Sequence, residues 1–390
     1  MRMTDESAPD WRLLAPHRPL IPTGASYVFR PSDGGAGIAA LVTAGGGPVL
    51  VEGPIGVGKS TEVARAAELL ATTHVACLIQ VDRMANVPHL STAELLGLIT
   101  QRLMTDARDK LHIQLPRRLR DAADYQTAAR SAAEGLFFTG SPSTGRTTLE
   151  AIAHTSREGR IVLLIDGLEK LQPGAAIIEA LGTLTQMPDL IDIVAVVSPR
   201  NAVFGSGFET VLCPEGRWHC MRSLDLEASM GGGTADVFLR ELITRRLPRG
   251  AMPPAMTLLL SYAARKSGGI PRTFLQLVAA AGTLARLQRG ASWPDVSDMQ
   301  VAISSQESSF QRALLPGDAA AILAAVGTAG NRLEIAGGTA MSRLEIERRE
   351  RLLAQGILLE RIRDKTSVLE VHPLAASAIS AQPAGRGPNA

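Results

Sequence analysis

Residues 53 to 60 read Gly53, Pro54, Ile55, Gly56, Val57, Gly58, Lys59, Ser60, a GxxxxGKS segment placed directly after the apolar run Pro48 to Val51. No other feature of the chain restricts its fold as much, because this spacing works only where a buried strand turns into a helix. The glycines let successive backbone amides face inward around phosphate oxygens, and the helical stretch Thr61 to Leu70 offers its positive N-terminal end to the same anion. Lys59 is expected to reach the β and γ phosphates and the Ser60 hydroxyl to ligate Mg2+, with Thr61 completing the cradle that begins at Gly53. The expected ligand is a nucleoside triphosphate.

The flanking sequence suits that placement. From about residue 25 to 230, short β-rich runs alternate with helical stretches, the pattern of a parallel sheet covered by helices on both faces. The candidate strands Pro48 to Glu52, Val75 to Val81, Arg160 to Ile165 and Ile191 to Val197 are near-continuous apolar runs, as strands buried on both faces should be. Between the second and third lies a helical region, Thr92 to Ala153, interrupted at Ser141, Pro142 and Ser143. Residues 1–24 are proline-punctuated and read as a lead-in that packs on the next domain.

After the break at Gly231, Gly232 and Gly233, residues 231–305 read as a helical subdomain with helices at Asp236 to Arg246, Pro254 to Ser267, Thr273 to Gln288 and Trp293 to Ser304. Residues 306–382 change again: helices at Gly317 to Val326 and Ser342 to Gln355, then β-prone runs Ile357 to Ile362 and Ser367 to Val371, an order that suggests a winged helix-turn-helix. The tail, 383–390, is expected to fray. The fold class is thus α/β: a P-loop NTPase parallel sheet sandwiched by helices, followed by a helical lid and a winged-helix domain.

Composition excludes several classes. With 45% hydrophobic residues the chain has ample material for packed cores. It has no apolar run long enough for a membrane span and no basic flank leading into an apolar stretch, so a cytoplasmic protein with no membrane partner is expected. Its three cysteines, Cys77, Cys213 and Cys220, show no framework spacing, and Cys213, His219 and Cys220 lack the fourth ligand of a structural zinc site. A formal charge of +2 does not by itself point to nucleic acid. The basic segment Lys110 to Arg120 has no interleaved aromatic side chains and reads as a solvated face.

A second motif strengthens the first. Arg160 to Leu171 reads RIVLLIDGLEKL, an apolar strand ending in Asp166, where a P-loop enzyme needs a carboxylate to hold the water shell of magnesium. Hydrolysis also needs a group that orients water, and the next residue is Gly167, where many AAA+ motors carry glutamate. Glu169, three positions after Asp166, is the expected water-positioning residue.

The run Asp166 to Lys170 is similar to the strand motif of the STAND class of signalling ATPases, relatives of AAA+ and of the Orc/Cdc6 initiators. Three further segments carry the resemblance. Ser198, Pro199 and Arg200 look like the first sensor, in which a hydroxyl and an arginine monitor the γ phosphate. Gly268 to Arg272 resembles the second-sensor motif of the lid, which implies Pro271 near the base and Arg272 near the phosphates. Val371 to Leu374 resembles the MHD motif, with Pro373 where that family has aspartate, and implies that His372 approaches the β phosphate of ADP. By this resemblance the chain is a Mg2+-dependent ATPase that hydrolyses ATP slowly and uses ATP and ADP states to rearrange core, lid and winged helix.

Three uses remain open on the sequence. A switch of this kind needs a signal or output, and a protein partner in trans is expected to supply it, with an ATP-dependent homo-oligomer as a further partner class. A DNA-associated ATPase acting on duplex DNA through its winged helix is the rival, although the candidate recognition helix sets Arg343, Arg348, Arg349 and Arg351 against Glu345, Glu347 and Glu350. A small-molecule kinase would share the P-loop but has no use for the lid and winged helix.

Overall fold

The computed structural model describes residues 9–14, 24, 26–30, 34–84, 90–137, 144–168, 175–197, 217–226, 234–247, 252–329, 332–335, 344–363 and 366–380. The chain divides into two compact units, one of Asp33–Glu52 and Lys59–Cys220, the other of Met1–Ser32, Gly53–Gly58 and Met221–Ala390.

The first unit is a five-stranded parallel sheet with helices in the crossovers. Its elements in order are α1 (Gly35–Thr43), β1 (Val49–Glu52), α2 (Lys59–Leu70), β2 (Val75–Gln80), α3 (Val81–Met84), α4 (Thr92–Asp109), α5 (Arg117–Asp124), α6 (Gln126–Phe137), α7 (Thr144–Ala153), β3 (Ile161–Asp166), α8 (Ala175–Leu184), β4 (Ile191–Val196) and β5 (Trp218–Cys220). The strand order is β2-β3-β4-β1-β5, and all pairs are parallel. Every residue of the inner strands β1, β3 and β4 is buried, whereas the edge strand β2 alternates between buried and half-buried positions. Near-continuous apolar sequence therefore marks the inner strands. Helix α4 begins at a reciprocal capping box, in which Ser91 caps the Glu94 amide and Glu94 returns to the Ser91 amide.

The four expected strands fall within a residue or two of β1 to β4. Strand β5 was not expected. It has three residues with His219 at its centre, too short and too polar to stand out, and it exists because it pairs with β1 from Leu50 to Glu52.

Among the described residues, the second unit has two apolar cores. The 3-10 turn Trp11–Leu14 joins α9 (Thr234–Arg246), α10 (Pro254–Lys266), α11 (Pro271–Leu284) and α12 (Val296–Ala313) around Leu14, Leu239, Leu260, Phe274 and Val278. Trp11 and Leu14 of the N-terminal lead-in thus pack on helices more than 200 positions away in sequence. Helix α11 starts at Pro271, whose fixed φ and missing N–H suit a first helical position. Helix α12 starts three residues after Trp293, at a capping box formed by Asp295 and Asp298.

The other core belongs to α13 (Asp318–Ala325), β6 (Gly327–Ala329), β7 (Arg332–Ile335), α14 (Ile346–Ala354), β8 (Leu358–Arg363), β9 (Thr366–Val371) and α15 (Pro373–Ser380). The antiparallel sheet order is β6-β7-β9-β8. Both helices and the β8–β9 pair match the sequence reading, while β6, β7 and α15 add elements it did not contain.

Candidate nucleotide-binding site

The motif runs through both units by chain continuity: Gly53 to Gly58 group with the second, Lys59 and Ser60 with the first. In the sheet unit, α2 begins at Lys59, so Lys59 and Ser60 occupy its first turn, with Thr61 following. Lys59 is buried, as is Asp166 at the end of β3. The Ser60 hydroxyl donates to Asp166 Oδ1 at 3.1 Å across 106 residues of sequence. The lower turn of α2 is fixed by Glu62, a buried carboxylate that accepts the Gly35 amide at 2.8 Å. Two hard-oxygen groups are thus held together at a helix N-terminus and a strand end, the donor type that Mg2+ prefers.

In the helical unit, the loop residues Gly53 to Gly58 have partners that the sequence did not announce. Arg30 is almost fully buried and donates from Nη1 to the Val57 carbonyl at 2.8 Å and from Nη2 to the Arg222 carbonyl at 2.5 Å. The Arg272 amide donates to the Gly56 carbonyl at 3.2 Å. Val57 itself is fully buried, which anchors the loop between exposed Ile55 and the helix that follows. Nothing in the local sequence around Arg30 marks it, since its partners lie 27 and 192 positions away.

Pro271 is buried at the start of α11, and the Arg272 side chain is exposed. The turn before them is held from three directions within this unit. Gly269 accepts the Leu224 amide at 3.0 Å. Gly268 accepts from Arg361 Nη2 at 2.8 Å. Ser267 accepts from His372 Nε2 at 3.1 Å. Arg361 also donates to the Leu224 carbonyl at 2.7 Å and pairs with Glu370 at 2.5 Å, both side chains being buried.

His372 has zero exposure, stacks on Phe310 with ring centroids 4.5 Å apart, and accepts the Leu374 amide at Nδ1. Burial, reinforced by the charge of Arg361, lowers its pKa to about 3 against a favourable bond to Ser267. Titration near neutral pH, natural for an exposed histidine, is therefore not a property of His372. Both ring nitrogens are already engaged, so contact with a phosphate would require one of these bonds to open. Glu169, Ser198, Pro199 and Arg200 lie outside the described residues.

No helix among the described residues is long and apolar enough to cross a membrane. Residues 38–194 match the family model described as AAA ATPase domain. Among solved structures, the chain is similar to the Walker-type ATPase paby2304 of Pyrococcus abyssi, at 13% identity and a TM-score of 0.58 over 94% of this chain and 99% of that one. It also matches Cdc6p from Pyrobaculum aerophilum, at 14% identity and 0.48 over 96% and 98% of the two chains. The Aeropyrum pernix Orc1 protein, solved in complex with DNA, matches at 14% identity and 0.46 over 97% and 98%. No curated protein matches by sequence. Residues 38–194 thus match the AAA ATPase domain model, in a chain that shares the fold of a Walker-type P-loop ATPase.

Proposed function

We propose that this protein binds ATP with Mg2+ on Gly53 to Thr61 and hydrolyses it slowly as a molecular switch, its nucleotide state setting the arrangement of core, lid and winged helix and so the binding of a partner protein. The observation that carries this reading is the 3.1 Å bond between Ser60 and Asp166, which joins the two motifs that a magnesium-nucleotide enzyme needs. Lys59 would neutralise phosphate charge, and Ser60 and Asp166 are the residues that would hold the metal. Bound there, magnesium would offset the charge that develops on the β and γ phosphate oxygens. Pro271 and Arg272 then report on the occupied loop, because the Arg272 backbone is tied to Gly56.

Slow, gated turnover is supported by the bonds on the turn preceding Pro271. Arg361 and His372, from the C-terminal hairpin and the residue after it, hold the carbonyls of Gly268 and Ser267. A shift at the loop would have to be accommodated by these buried bonds, which is how a ligand biases one packed arrangement over another. An ATP-dependent homo-oligomer fits the same reading.

The test is the nucleotide released on denaturing the purified protein, with Lys59→Ala as control. Stoichiometric ADP in the wild type and little in Lys59→Ala is the expected result. Wild-type protein that neither carries nor binds adenine nucleotide would overturn the reading.

A further inference from the structure

We infer that Asp82 is the carboxylate that orients and deprotonates the attacking water. The inference rests on the reading of the protein as an ATP hydrolase and gives Asp82 the role that the sequence led us to expect of Glu169.

Strands β2 and β3 are neighbours in register, with Gln80 opposite Asp166. The chain beyond Gln80 therefore leaves the sheet beside the chain beyond Asp166. Asp82 is two residues past that pair, in the first turn of α3, and Gly167 is one residue past it. A Cβ placed on Gly167 would stand 3.2 Å from the Asp82 amide nitrogen and 3.3 Å from both its Cβ and its Oδ1. Gly167 also has φ +97°, a conformation that L side chains rarely adopt.

Position 167 is thus where a glutamate following the magnesium-site aspartate would begin its side chain, and Asp82 fills that space. A glutamate rooted there would carry its carboxyl carbon two bonds beyond Cβ. Asp82 brings a carboxylate oxygen into the same neighbourhood from the adjacent strand.

In the step assigned to Asp82, water oxygen bonds to the γ phosphorus as the bond from that phosphorus to the β–γ bridging oxygen breaks, its electron pair leaving with ADP. The water proton passes to the Asp82 carboxylate and from there to the released phosphate.

The experiment measures affinity for a fluorescent ATP analogue with Mg2+ and single-turnover hydrolysis of ATP, using wild type, Asp82→Asn, Asp82→Glu, Glu169→Gln and Lys59→Ala. Asp82→Asn should bind within about twofold of wild type and lose at least 100-fold in hydrolysis, the low end of general-base effects. Asp82→Glu should recover part of the rate, with the acidic limb of its pH profile shifted. Normal hydrolysis in Asp82→Asn with a loss confined to Glu169→Gln would return the role to Glu169 and overturn the inference. Lost nucleotide binding in both Asp82 variants would make the residue architectural and overturn it too. Absence of Lys59-dependent hydrolysis in the wild type would instead remove the hydrolase reading itself, and the inference with it.

Discussion

His372 donates its Nε2 proton to the carbonyl of Ser267 at 3.1 Å, and because Nδ1 accepts the Leu374 amide, the ring is fixed as one neutral tautomer. A carbonyl can only accept and an amide N–H can only donate, so no alternative assignment satisfies both bonds.

That pair makes stability depend on pH. The native histidine resists protonation down to about pH 3, whereas an unfolded one takes up a proton near 6.5. Between those values the unfolded chain binds the extra proton, so stability falls as pH is lowered from 6.5 towards 3. This one group should remove about 2 kcal/mol between pH 6.5 and 5. Urea unfolding of wild type and His372→Gln at both pH values isolates it: the variant should show a shallower loss, and equal slopes would exclude the effect.

Arg361 and Glu370 form a buried ion pair that also satisfies the carbonyls of Leu224 and Gly268. Arg361→Leu should cost about 3–5 kcal/mol, because it leaves a carboxylate and two carbonyls inside the protein without this cation. The double replacement Arg361→Met with Glu370→Leu should recover part of that loss in the same urea measurement.

At the phosphate site, Asp166→Asn should leave the thermal midpoint close to wild type while weakening Mg2+-dependent nucleotide binding about 10–100-fold, the range found for groups that act through a metal's outer shell. Titration of Mg2+ at fixed nucleotide reads this directly.

Helix α14 offers a check on the DNA alternative. Arg351 donates twice to Asp318, at 2.6 and 2.7 Å, and Arg348 lies 3.3 Å from the same carboxylate, which is 1% exposed. These arginines are engaged within the protein. Arg348→Ala and Arg351→Ala are each expected to lower the thermal midpoint by several degrees, as a loss of about 1–2 kcal/mol does. Neither should change the salt dependence of any affinity for duplex DNA; a fall of about one unit in that slope would place Arg348 or Arg351 against phosphate.

How much of this could be read from residues alone depended on how local the cause was. Lys59, Ser60 and Asp166 were legible because a loop motif and an apolar strand ending in aspartate each carry their own context. The strands β1, β3 and β4 were legible for the same reason, being buried on both faces. Asp82 was not, since Val81 to Met84 has no pattern and gains meaning only from the pairing of Gln80 with Asp166. Arg30 was hidden likewise. The state of His372 was not legible locally either: the sequence shows a histidine before a proline, and only the packing of Phe310 and Ser267 around it removes water from the ring.

Trp11 lies against Gly282 so closely that a Cβ there would come 2.1 Å from the indole, and its ring meets Trp293 edge-on at 5.6 Å. These residues leave the ribosome far apart in time. Trp11 is made about 280 residues before Trp293, so its seat is complete only after Trp293 has followed, and the unit to which it belongs is interrupted in sequence by the sheet unit. The sheet unit can thus mature during synthesis while the apolar segment around Trp11 waits for its later partner, a period in which that segment is open to chaperones.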